Sequence, residues 1–102
     1  MTDLNTPKHR TWIEISEKAL AHNVETLKLF LHQKTTFIAV VKGNAYGHDL
    51  ETVVRILLRK GVDHFGVDSI GEAVRVRSIA PSATIITLGY IPTFDLPLVL
   101  QH

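Results

Sequence analysis

The chain has 102 residues, of which 45% are apolar and 21% charged, with eleven Lys+Arg against ten Asp+Glu for a formal charge of +1. That composition belongs to a folded globular chain and not to a disordered one, and a charge so evenly balanced argues against a surface built for phosphate backbones. There is no cysteine, so disulfides and thiolate metal sites are excluded.

The opening Met1–Arg10 is a polar tail without the hydrophobic stretch of a secretory signal, and no apolar run approaches the ~20 residues that cross a bilayer. The rest, 11–102, reads as one domain. Trp12-Ile13-Glu14-Ile15 alternates weakly and predicts a short strand. Ser16 offers an N-cap, and Leu20, Val24, Leu27 and Leu31 predict an apolar stripe on the helix that follows. Phe37-Ile38-Ala39-Val40-Val41 is a continuous apolar run, the pattern of a parallel strand covered on both faces.

Gly43 to His48 then reads as a loop. Asp49 caps a helix carrying Leu50, Val53, Val54, Leu57 and Leu58, and Gly61 stands where a left-handed residue ends it. His64-Phe65-Gly66-Val67 is a second strand. Ser69-x-x-Glu72 is a capping-box pattern opening a helix through Ala73, Val74 and Val76, which Pro81 ends. Thr84–Leu88 is a third buried strand, Gly89 and Pro92 make a loop, and Phe94–Gln101 starts another helix.

This alternation predicts an α/β fold of parallel strands joined by right-handed crossovers. Either an open doubly wound sheet or the N-terminal portion of a (β/α)8 barrel satisfies it. A barrel takes ~250 residues, so this chain would supply an incomplete one with open strand edges.

Ligands gather at the carboxyl ends of such strands. Lys42 follows the five-residue apolar run, on the face of Val40 and Ile38 by the period of two. Desolvation against apolar walls disfavours an ammonium, and a neutral amine can attack an aldehyde or accept a proton. The plainer reading is a strand-end lysine that snorkels into water. In the loop, Gly43 and Gly47 permit unusual φ and close backbone approach, and Tyr46 brings a hydroxyl. The spacing is neither a phosphate-binding P-loop nor a dinucleotide fingerprint. His48 and His64 lack the spacing of a metal pair.

The segment Ala39-Val40-Val41-Lys42-Gly43-Asn44-Ala45-Tyr46-Gly47-His48 resembles the pyridoxal-phosphate attachment motif of the alanine racemase family. Trp12–Ile15, Phe65-Gly66-Val67, Glu72-Ala73 and Ile86-Thr87-Leu88-Gly89 follow in matching order, and the likeness runs from about Arg10 to the C-terminus. The resemblance implies that Lys42 holds pyridoxal 5'-phosphate as a Schiff base and serves as the base on the D-alanine side. It implies that Tyr46 contacts the cofactor phosphate and that Val40 and Leu88 are apolar neighbours of the cofactor.

It further implies a cytoplasmic homodimer that acts on a small amino acid and supplies D-alanine for peptidoglycan, with no nucleic-acid or membrane partner. The alternatives are a truncated, inactive fragment that at most binds cofactor or a partner chain, or a racemase for another amino acid such as serine. Gly43 replaces the family's usual Ala and Asp49 its usual Gly. Asp68 stands where a small residue is expected; it either leads, exposed, into the Ser69 cap or approaches the site and alters substrate preference. The family's second base, a tyrosine from the partner subunit, and its arginine facing the pyridine nitrogen fall outside the matched segments. Tyr90, Arg55, Arg59, Arg75 and Arg77 are not assigned to those roles, the arginines being expected to face solvent from helices.

Overall fold

The computed structural model describes residues 9–102. Most of the polar tail therefore lies outside the described residues. In chain order the elements are α1 (Glu17–Leu29), β1 (Ala39–Val40), a helical segment α2 (Lys42–Tyr46), α3 (Leu50–Arg59), β2 (His64–Val67), α4 (Ile70–Ile79), β3 (Thr84–Thr87), a 3-10 turn at Thr93–Asp95, and α5 (Leu96–Gln101). The three strands form one parallel sheet in the order β1-β2-β3. No described helix is long and apolar enough to cross a membrane.

Local chemistry sets most boundaries. Ser16 accepts from the Ala19 amide at 3.1 Å and starts α1, and Asp49 accepts from the Thr52 amide at 3.2 Å and starts α3. At the far end of α3, the Gly61 amide donates to Leu58 O and the Val62 amide to Leu57 O, each at 3.0 Å, with Gly61 at φ +78. These paired bonds are a Schellman motif. Its accompanying apolar contact comes from Val62 and Leu57, both buried in the main core.

That core lies between the sheet and its helices. Phe65 and Val67 of β2 are fully buried against Leu50, Val53, Val54 and Leu57 of α3 and Ala73 and Val76 of α4. Their register partners Ala39 and Ile85 pack on the same side. The next row, Val40, Gly66 and Ile86, faces the other way. Two ion pairs tie α1 to the end of α3: Arg59 with Glu17 at 2.8 Å and Lys60 with Glu25 at 3.2 Å.

Several expectations need correction. Trp12–Ile15 is not a strand; Trp12 and Ile13 are exposed, and among the described residues no strand lies beyond β1 to take their backbone hydrogen bonds. The buried face of α1 is Ala21 and Val24 with Leu20 partly covered, whereas Leu27 is half exposed and Leu31 lies past the helix end. The strand in Phe37–Val41 shrinks to two residues. Ile38 and Val40 are 43% and 41% exposed, because helices cover only one side of the sheet.

Thr84 is exposed, and the rest of β3 is half-buried as befits an edge strand. The final helix begins as a 3-10 turn and buries none of its residues. Three of the arginines expected to face solvent are engaged: Arg59 with Glu17, Arg75 with Glu51, and Arg77 with the carbonyls of Ala80, Pro81 and Ala83 below the end of α4.

Candidate functional site

The carboxyl ends of the three strands converge on three short segments: Val41–Gly47 after β1, Asp68–Ser69 after β2, and Leu88–Gly89 after β3. The first of these is no ordinary loop. Gly43, Asn44, Ala45, Tyr46 and Gly47 carry φ of 60, 57, 56, 54 and 85, five consecutive left-handed residues. Backbone bonds four residues apart close the turn: Ala45 N to Val41 O at 2.8 Å and Gly47 N to Gly43 O at 3.0 Å. An L-residue in this region costs about 1–2 kcal/mol. With Asn44, Ala45 and Tyr46 all placed there, the turn persists only because its surroundings over-determine it.

Those surroundings are specific. The Ala45 methyl is buried in the core. The Asn44 amide donates to Glu72 Oε2 at 2.9 Å, and Asn44 Oδ1 accepts from the Leu50 amide at 2.9 Å and from Arg75 Nη2 at 3.2 Å. Arg75 also grips Glu51 through two bonds of 2.8 Å. This fork lowers the Glu51 carboxyl to about 2 and raises the Arg75 guanidinium. None of these roles for Asn44, Glu72 and Arg75 was legible beforehand. Glu72 carried only a capping signal and Arg75 none.

Each expected site residue takes a definite place. Lys42 begins the turn directly after β1 and is half-buried. The Val41 backbone, at φ −119 and ψ 21, has already left the extended region, so strict alternation ends one residue before Lys42. Tyr46 ends the turn and is 62% exposed. Val40 and Leu88 meet across Gly66. A Cβ built on Gly66 would lie 3.4 Å from Val40 Cγ2 and 3.1 Å from Leu88 Cδ1, so glycine there lets the two apolar side chains close over the strand. Leu88 is 54% exposed, and its amide donates to Val67 O at 2.7 Å, holding it beside the end of β2.

Asp68 is exposed, and its main chain abuts Gly89. His48 and His64 are occupied locally, Nδ1 of each lying 2.9 Å from Ala45 O and 2.7 Å from Asp63 Oδ1 respectively. The His64 ring draws the Asp63 carboxyl below its usual range. A groove of about 650 Å³ lies between α1, β1 and α3; Val40 lines it, but Lys42, Tyr46 and Leu88 do not. It is the space beside the open edge of β1.

A half-buried lysine, an exposed tyrosine and the apolar pair Val40 and Leu88 thus share one end of the sheet. An amine can take an aldehyde and a phenol can donate to an anionic oxygen, so the set suits a phosphorylated aldehyde with an apolar body.

Comparison with known proteins points the same way. Residues 15–102 match the family described as alanine racemase, N-terminal domain. The chain is 42% identical over 80 residues to the alanine racemase of a Nostoc species, covering 78% of this chain and 21% of that protein. It is 39% identical over 85 residues to the serine/alanine racemase of Enterococcus gallinarum, covering 83% of this chain and 12% of that one. Among solved structures it is similar to the alanine racemase of Bacillus anthracis with bound L-Ala-P. That likeness has a TM-score of 0.79 at 38% identity over 88% of this chain and 24% of the other. The chain spans about one fifth of the length of the curated relatives it matches first.

Proposed function

The chain belongs to the alanine racemase family through its N-terminal barrel portion, and from that footing we propose that it is the lysine-bearing part of a pyridoxal-phosphate-dependent amino-acid racemase. The reaction is interconversion of L- and D-alanine, with D-alanine destined for peptidoglycan in a bacterial cytoplasm and the complete enzyme a homodimer. The observation that carries this reading is the left-handed turn itself. It carries Lys42 at one end and Tyr46 at the other, at the end of the sheet where Val40 and Leu88 meet over Gly66.

Bound there, pyridoxal 5'-phosphate supplies an electron sink for the pair left when the substrate Cα loses its proton. The protein's own residues do the rest. Lys42 Nζ would hold the cofactor, and as a free amine it would move the Cα proton on the D-alanine side. The Tyr46 hydroxyl would donate to the phosphate. Val40 and Leu88 would be apolar neighbours of the cofactor, while the stiff turn fixes the backbone from which the lysine reaches. The decisive experiment is borohydride treatment of purified protein with cofactor, followed by peptide mapping. Reduced label on Lys42 is the expected result, and label elsewhere with Lys42 untouched refutes the assignment.

A second substrate reading has a specific support. The Enterococcus gallinarum relative is a serine/alanine racemase, and Asp68, a polar side chain at the end of β2, is exposed at the same end of the sheet. Comparing turnover of L-serine and L-alanine in wild type and Asp68→Ala separates the two.

A further inference from the structure

The Ser69-x-x-Glu72 pattern predicts a reciprocal capping box in which the Glu72 carboxylate returns to the Ser69 amide. Only half of it forms. Ser69 Oγ accepts from the Glu72 amide at 3.2 Å, as expected. The Glu72 carboxylate instead spans two segments: Oε1 accepts from the Asp68 amide at 3.2 Å, and Oε2 accepts from the Asn44 amide at 2.9 Å, twenty-eight residues away. Asn44 is the second of the five left-handed residues, and its side chain is fixed in turn by the Leu50 amide and by Arg75.

We infer that Glu72 is a positioning residue: its carboxylate clamps the left-handed turn carrying Lys42 and Tyr46 to the mouth of β2, and so sets where the amine and the phenol stand. The cofactor half of this inference rests on the function proposed above; the clamp itself rests on the hydrogen bonds alone. An ionised carboxylate is the right group for the task. It is acceptor-only, it offers one oxygen to each of two amide donors, and its bonds to them are charge-assisted. Glutamine keeps one acceptor oxygen but turns an amide group toward the other N–H. Alanine removes both bonds and leaves the Asn44 amide without this partner, while the Ser69 hydroxyl still caps α4.

The test compares Glu72→Ala, Glu72→Gln and Ser69→Ala in purified protein expressed from its complete reading frame. Hydrogen exchange of the Asn44 and Asp68 amides and affinity for pyridoxal 5'-phosphate are measured for each. In Glu72→Ala, both amides are expected to exchange about tenfold faster and the dissociation constant to rise about tenfold, with Glu72→Gln intermediate on both scales. Ser69→Ala, which removes only the helix cap, lowers the melting temperature and leaves Asn44 exchange and cofactor affinity as in wild type. Should Glu72→Ala fail to fold, Glu72→Gln against Ser69→Ala gives the same contrast. Unchanged Asn44 exchange in the Glu72 variants, or a Ser69→Ala protein that reproduces their effects, overturns the clamp. Wild-type protein that takes up no cofactor refutes the proposed function instead, and exchange of the Asn44 amide then decides the clamp by itself.

Discussion

Gly89 sits so close to Asp68 that a Cβ on it would lie 2.3 Å from the Asp68 carbonyl oxygen and 2.9 Å from Oδ1. Backbone meets backbone here, at the point where β2 and β3 deliver their ends to the candidate site. Gly89→Ala must therefore push the two segments apart, and the cost falls in the overpacking range of about 1–3 kcal/mol. Urea denaturation of the variant is expected to show that loss. Asp68→Ala in the same background does not restore stability, because the nearest clashing atom is main-chain.

The Glu51–Arg75 fork makes a pH-dependent contribution. The Glu51 carboxyl stands at about 2 against 4.5 for the free group. A carboxyl with a depressed folded-state value stabilises the fold above its unfolded value and loses that contribution as the pH falls through the folded one. The melting-temperature gap between wild type and Glu51→Gln is therefore constant above about pH 4.5 and closes as the pH falls toward 2. The gap is modest, a few degrees, because both side chains are partly exposed and solvent screens the pair.

Gly66 separates folding from binding. A Cβ there would come within 3.1 Å of Leu88 Cδ1, the far end of a half-exposed and adaptable side chain, and no backbone atom stands nearer. Gly66→Ala is expected to fold with little change in melting temperature, and Gly66→Val to push Val40 and Leu88 apart. Cofactor affinity, followed by absorbance titration, should drop slightly in the first and about tenfold in the second. A Gly66→Val protein that binds as tightly as wild type removes the Val40–Leu88 contact from the site.

Racemisation needs a second base on the opposite side of Cα, and the proposed mechanism assigns none to these residues. The 102-residue chain by itself is expected to show no detectable conversion of L-alanine to D-alanine, even where Lys42 takes the cofactor. In the complete enzyme, Lys42→Ala lowers turnover by at least about a thousandfold, the range of a lost acid–base group that also binds the cofactor. Robust turnover by the short chain refutes the requirement for a second base from elsewhere.

The parts of the molecule that sequence reasoning read well are those whose cause is local. Ser16, Asp49 and Ser69 cap helices by bonds three residues long. Gly61 ends α3 through bonds to Leu57 and Leu58. The apolar spacing of α3 placed four of its five named residues fully in the core, and His64–Val67 is a strand to the residue. Trp12–Ile15 failed for the opposite reason: a strand requires hydrogen-bond partners on a neighbouring chain segment, and alternation of side chains cannot supply them. The absence of a covering layer on the far face of the sheet left Ile38 and Val40 open where an apolar run suggested burial on both faces.

From the order of residues alone came the parallel α/β alternation and, through the segment around Lys42, the resemblance to the family, since each depends on residue type and spacing along the chain. Only the tertiary structure decided that Gly43–Gly47 winds left-handed, that Glu72 reaches across to Asn44 in preference to Ser69, and that Val40 and Leu88 close over Gly66. The last two relations join residues 22 to 48 positions apart in the chain, brought together by the register of three strands. Gly43 and Gly47 signal locally that unusual φ is allowed, but what keeps Asn44, Ala45 and Tyr46 left-handed is contact with segments that the chain reaches later.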